Sequence, residues 1–65
     1  MRMRYFPDTD TLLITLNERP VSDTRDVGEN TVVDLDEKGH VVAITLEHAR
    51  EQTDVRELSY RMAGT

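Results

Sequence analysis

The sequence predicts a small α+β domain: an antiparallel β-meander of four to five strands followed by a C-terminal helix. Three observations carry this. Apolar residues alternate with polar ones through most of the first 48 positions, the period of a strand with one covered face. Turn-forming residues punctuate that alternation at Pro7-Asp8, Arg19-Pro20, Gly28-Glu29-Asn30 and Lys38-Gly39. After Leu46 the spacing of apolar residues changes to that of a helix. The whole chain, 1–65, reads as a single domain, with the sheet over 1–48 and the helix over about 54–63.

Met1 to Phe6 sets Met1, Met3 and Tyr5 against Arg2, Arg4 and Phe6, a strand with arginines on its outer side. Pro7-Asp8-Thr9-Asp10 is a turn, because proline fixes φ and aspartate accepts local backbone hydrogen bonds. Thr11 to Asn17 returns as the second strand, with Leu12, Ile14 and Leu16 on one side and Leu13 and Thr15 on the other. Pro20 then breaks the ladder. Val21, Asp23, Arg25 and Val27 form a short, charge-rich edge strand, the composition that protects an edge from pairing with other chains.

The main hairpin runs from Thr31 to Leu46. Strand parity must put Val33 and Leu35 on the same face as Val42, Ile44 and Leu46. A two-residue turn at Lys38-Gly39, or a four-residue loop of the same parity, achieves this. It sets Leu35 opposite Val42, Val33 opposite Ile44 and Thr31 opposite Leu46. A three-residue loop would pair Asp36 with His40 and turn Val33 and Leu35 away from Ile44. The two-residue turn needs φ > 0 at both centres, which Gly39 accepts and Lys38 resists, so strain is expected at Lys38. Beyond the hairpin, Asp54 with Glu57 three residues on fits a capping box, Val55, Leu58 and Met62 recur at helical spacing, and Gly64 stands where a helix stops. The spacing therefore predicts a helix from Asp54 to Ala63, too short to hold without support from the sheet or a partner chain.

Composition excludes several classes of function. Thirteen acidic against eight basic residues give a net charge of -5, the wrong sign for a nucleic-acid backbone. No apolar run is long enough to span a membrane. The N-terminal M-R-M-R-Y-F lacks the apolar stretch of a signal peptide, so a cytoplasmic location is expected. There is no cysteine, hence no disulfide and no thiolate metal site. No cofactor is expected.

Four stretches resemble a known family: Tyr5-Phe6-Pro7-Asp8, Asp10-Thr11-Leu12-Leu13-Ile14, Val33-Asp34-Leu35-Asp36-Glu37-Lys38-Gly39 and Val42-Ala43-Ile44-Thr45-Leu46. They are similar to the small bacterial and archaeal domain of unknown function 2283, over Tyr5 to Ala49. The D-L-D-E-K-G turn is the most specific part. Phe6, Leu13, Ala43 and Thr45 depart from that family's usual Asp, Tyr, Gly and Glu. The resemblance implies a fold but no activity. Members can lie beside small toxin-like genes, which implies a role as the neutralising, antitoxin-like partner of another small protein.

Candidate chemistry is sparse. Asp34-x-Asp36-x-Lys38-Gly39 opens like a calcium loop. It fails because the third ligand position is the cation Lys38 and the twelfth is Thr45, where a bidentate Glu is required. Asp34 and Asp36 are therefore expected on the solvated face, setting register. Ser22 and Ser59 sit outside any nucleophile elbow. His40 is expected to face solvent. His48 is expected at the rim of the apolar face or beneath the helix. The remaining acidic residues read as solubilising charge.

Leu13, Val32, Val41 and Ala43 fall by parity on the face opposite the core, where polar residues are usual. With Val55, Leu58 and Met62 of the helix they form the candidate interface residues. The expectation is a non-enzymatic, protein-binding domain that forms a homodimer or higher homo-oligomer. The alternative is a small enzyme or metal-dependent site at a subunit interface, built from Asp34, Asp36 and His40.

Overall fold

A computed structural model describes residues 1–64. The elements are β1 (Arg2–Phe6), β2 (Thr11–Thr15), β3 (Asp23–Gly28), β4 (Thr31–Leu35), β5 (Val41–Glu47) and a single turn of helix, α1 (Ala49–Gln52). The strands make one antiparallel sheet in the order β1-β2-β5-β4-β3. Thus β3-β4-β5 is a meander, and the β1-β2 hairpin docks on the free side of β5. The alternation that predicts the strands is what the sheet uses. The charge-rich β3 lies at one edge, as its composition requires.

Residues paired across strands share a face. One row is Met3, Ile14, Ile44, Val33 and Arg25; the next is Tyr5, Leu12, Leu46 and Thr31. These rows define an apolar face. The opposite face carries Arg2, Thr15, Ala43, Asp34 and Thr24 in one row and Arg4, Leu13, Thr45, Val32 and Asp26 in another. On that polar face Arg4 stacks over the Phe6 ring, 5.2 Å from its centre.

The hairpin between β4 and β5 differs from its sequence expectation. Its loop has three residues, Glu37-Lys38-Gly39: the Asp36 amide donates to the His40 carbonyl at 2.9 Å, and the Gly39 amide to the Asp36 carbonyl at 3.0 Å. Parity is restored by a β-bulge. Asp34 stands opposite Ala43 and Leu35 opposite Val41, so Val42 is the extra residue. The pairs Val33–Ile44 and Thr31–Leu46 are as expected, while Leu35 meets Val41 and not Val42. The loop needs a left-handed backbone only at Gly39 (φ 84); the positive-φ non-glycine residues are Asp10 and His48, so the strain expected at Lys38 does not arise. The bulge also sets Val41 beside Leu35, which alternates with Val33 and so belongs to the apolar face.

The helix expected over Asp54–Ala63 is absent. The Asp54 carboxylate does accept the Arg56 amide at 3.0 Å, and the Glu57 amide reaches the Asp54 carbonyl at 3.4 Å. These bonds close one turn, from which no helix propagates. A ten-residue helix needs a packed apolar stripe to offset its nucleation cost. Here Leu58, Tyr60 and Met62 stay 66%, 73% and 85% exposed. The one helical turn lies earlier, at Ala49–Gln52. His48 does not pack at the rim of the apolar face; it is exposed and left-handed (φ 53), turning the chain from β5 into α1.

Among the described residues the strands form a single layer, with the segment Thr53–Leu58 beside part of its apolar face. Among the described residues the buried apolar ones are Val42, Ala43 and Ala49, all small, and no large side chain is fully buried. Every residue of β2 and β4 is half-buried.

Gly39→Val is expected to destabilise the fold by about 1 kcal/mol or more, because a β-branched residue is forced into the left-handed region. A Cβ at this position meets nothing within 4 Å, so the loss is conformational and not steric. Gly39→Asn should recover most of it, since asparagine tolerates that region. Urea midpoints of the two variants measure both effects.

Candidate functional site

Two polar clusters and one apolar surface are the places where this chain could act. The first cluster lies at the loop end of the β4-β5 hairpin. The link from β2 to β3 must pass the ends of β5 and β4, a distance of three strand spacings, or about 14 Å. Residues 16–22 bridge it easily and lie against the hairpin end. The Leu16 amide donates to the Val42 carbonyl at 2.8 Å, Asn17 Nδ2 to the Val41 carbonyl at 3.0 Å, and the Ser22 amide to the Leu35 carbonyl at 2.7 Å. This course brings Arg19 over Asp36.

Asp36 is buried, its side chain 6% exposed, which corrects its expected place on the solvated face. Its Oδ1 accepts the Lys38 and His40 amides, both at 2.9 Å, and its Oδ2 forms an ion pair with Arg19, whose Nε lies 2.8 Å away. His40 Nδ1 lies 3.8 Å from the same Oδ2, at the exposed mouth of the site. Burial of an acceptor-only carboxylate is tolerated because every bond it makes favours the charged form. The amide bond from His40 leads in holding the Asp36 carboxyl below its usual range, helped by the Lys38 amide and by the Arg19 charge, against the opposing effect of burial. A general acid needs the reverse, a raised pKa and a proton to give. Asp36 is an organising anion that fixes the loop, the β2-β3 link and their mutual position.

A cleft of about 610 Å³ opens beside it, lined by Arg19, Pro20, Ser22, Asp36, Lys38 and His40 among others. The alternative reading of an enzymatic or metal site groups Asp34 with Asp36 and His40. Asp36 and His40 do come together. Asp34 lies in a row of the polar face, where it accepts the Thr24 hydroxyl at 2.8 Å. Among the described residues no group of three or more His, Cys, Asp or Glu side chains is placed to hold a metal ion.

The second cluster is at the opposite end of the sheet, around Asp10. Its left-handed backbone (φ 56) closes the β1-β2 turn. The Tyr5 hydroxyl donates to Oδ1 at 2.6 Å, the Arg50 amide to Oδ1 at 3.1 Å, and Arg50 Nε to Oδ1 at 3.3 Å. The Ala49 amide donates to the Asp10 carbonyl at 2.9 Å. Asp10 thereby satisfies the first free amides of α1 from another part of the chain. The Tyr5 bond leads in lowering the Asp10 carboxyl, and the same bond leads in raising the Tyr5 hydroxyl.

The apolar face is the third place. The segment Thr53–Leu58 runs beside Met3, Tyr5, Leu12, Ile14 and Leu46 and leaves a groove of about 330 Å³. Of the interface residues read from sequence, Val55 and Leu58 line this groove. Met62 is exposed. Leu13, Val32 and Ala43 lie on the polar face, with Ala43 buried among neighbours. Sequence reasoning missed Asp10, Tyr5, Arg19 and Arg50. For Asp36 a signal existed: an aspartate three residues before a turn glycine can accept the loop amides. For Asp10 and Arg50, forty residues apart, local pattern holds no signal.

A family model matches residues 2–50, and its description is protein of unknown function (DUF2283). The chain belongs to that family. The match takes in all five strands and both residues that Asp10 contacts at the start of α1. No curated protein and no solved structure matches the chain.

Both Asp10 and Asp36 have carboxyls lowered in the folded state, so folding favours their ionised forms. Their contribution to stability is complete above the unfolded carboxyl pKa, about 3.9, and is lost as pH falls through the lower folded values. Urea midpoints should therefore be flat near neutrality and drop in acid. Asp36→Asn and Asp10→Asn should each lower the neutral-pH midpoint and flatten that acid limb.

Proposed function

We propose that this protein works by association and not by catalysis, as a self-associating binding domain whose core is completed by a second copy of the same chain. The observation that supports this most is the sheet itself: five strands, one layer, and no large side chain fully buried among the described residues. A stable domain is built from at least two packed layers. A chain of 65 residues without a disulfide is where oligomerisation most often supplies the missing one. Covering one exposed Val, Leu or Ile contributes roughly 1.5 kcal/mol or more. A few such residues equal the whole stability of a small domain, about 5 kcal/mol. The polar clusters fit the same reading. Each holds its aspartate ionised and fully bonded, which stiffens the ends of the sheet and leaves the faces to do the binding. A neutralising role toward another small protein would use the same faces. Among the described residues no helix is long and apolar enough to cross a membrane.

Folding linked to association makes stability depend on protein concentration. The thermal midpoint is expected to rise over a hundredfold range of protein concentration. A midpoint that stays constant across that range would count against self-association.

A further inference from the structure

We infer that the cleft at the loop end of the β4-β5 hairpin is a binding site for a small organic carboxylate, held by Arg19 and Lys38. The site is independent of the self-association proposed above, since it uses a loop end and neither face of the sheet. Its volume of about 610 Å³ suits a small molecule, and it sets an apolar wall against a few convergent polar groups. Pro20 and Val21, the latter 51% exposed, supply the wall. Arg19, Lys38, His40 and the Ser22 hydroxyl supply the donors.

A chain of net charge -5 repels anions from most of its surface. The cleft reverses this locally because its central acid is hidden. Asp36 is only 6% exposed, and both its oxygens are engaged from within the chain, one by two amides and the other by Arg19. The Arg19 and His40 side chains stay 53% and 66% exposed, so a ligand meets them and not the carboxylate. With Nε held 2.8 Å from Asp36 Oδ2, the Arg19 guanidinium is fixed in place, and its planar fork offers the Nη groups to a second carboxylate. Lys38 is set apart from most of the basic residues. Arg2, Arg19, Arg25, Arg50 and Arg56 each have an acidic partner, whereas the Lys38 ammonium has no ion pair or hydrogen bond among the described residues. Glu37 is the exposed acid among the lining residues. Its repulsion grows with the charge of the ligand, which favours a singly charged carboxylate over a doubly charged phosphate.

Titration of the full chain with benzoate, followed by amide nuclear magnetic resonance at neutral pH and constant ionic strength, tests the site. Saturable shifts are expected at Arg19, Val21, Ser22, Lys38 and His40. Phenyl phosphate should bind the same residues more weakly. Lys38→Gln should weaken benzoate by about threefold or more. The Lys38 side chain holds no partner, so that variant is expected to keep its fold, with unchanged shifts in β1, β2 and β3. Arg4→Gln, which removes a cation from the edge strand β1, should leave the affinity unchanged. Shifts that never saturate, or that spread over β1 as much as over the cleft, would overturn the site. Equal affinity in Lys38→Gln and wild type would remove Lys38 from it. Tighter binding of phenyl phosphate than of benzoate would overturn the assignment to a carboxylate.

Discussion

A sheet has two faces, and among the described residues little covers either. Beyond Glu47 lie α1, which is one turn long, and a segment in which Leu58, Tyr60 and Met62 stay largely in water. Hydrophobic burial is the main favourable term in folding, and it scales with the area removed from water. Most of the apolar area of β2, β4 and β5 is only half removed. That half-covered layer makes the composition of each face the decisive property and gives the polar clusters a supporting part.

Those clusters share one design. Asp10 and Asp36 sit at opposite ends of the sheet, and each collects backbone amides together with one arginine. Asp36 ties the β2-β3 link to the β4-β5 loop. Asp10 ties the β1-β2 turn to α1. Hydrogen bonds to a charged acceptor are stronger than neutral ones, so a single carboxylate can hold two segments in register. A thin sheet with little core gains most from such ties, because its connections would otherwise fray. The bulge at Val42 belongs to the same economy of fit: it reconciles a three-residue loop that suits Asp36 with an apolar register that suits Val33 and Ile44.

Much of this was legible in the sequence, and the limits are physical. Strands β1, β2, β4 and β5 announce themselves because alternation is a local property that the sheet then uses. The β4-β5 loop was misjudged by parity alone, since a bulge adds one residue and reverses the inference. The helix at Asp54 was misplaced because the capping signal is real but local; it closes a turn, and nothing packs there to extend it. The Asp10–Arg50 tie joins residues forty apart and leaves no trace in local pattern. The interface expected from sequence falls on the polar face because Leu13, Val32, Val41 and Ala43 are apolar where polar residues are usual. In place of that helix, the segment Thr53–Leu58 runs beside part of the apolar face.

Sedimentation equilibrium tests most directly whether a second copy completes this single layer. At tens of micromolar protein, a mass twice that of the 7.5 kDa chain is the predicted result. A mass of one chain at every concentration, with the sheet intact by circular dichroism, would mean that a single half-covered layer is stable alone and would contradict the account.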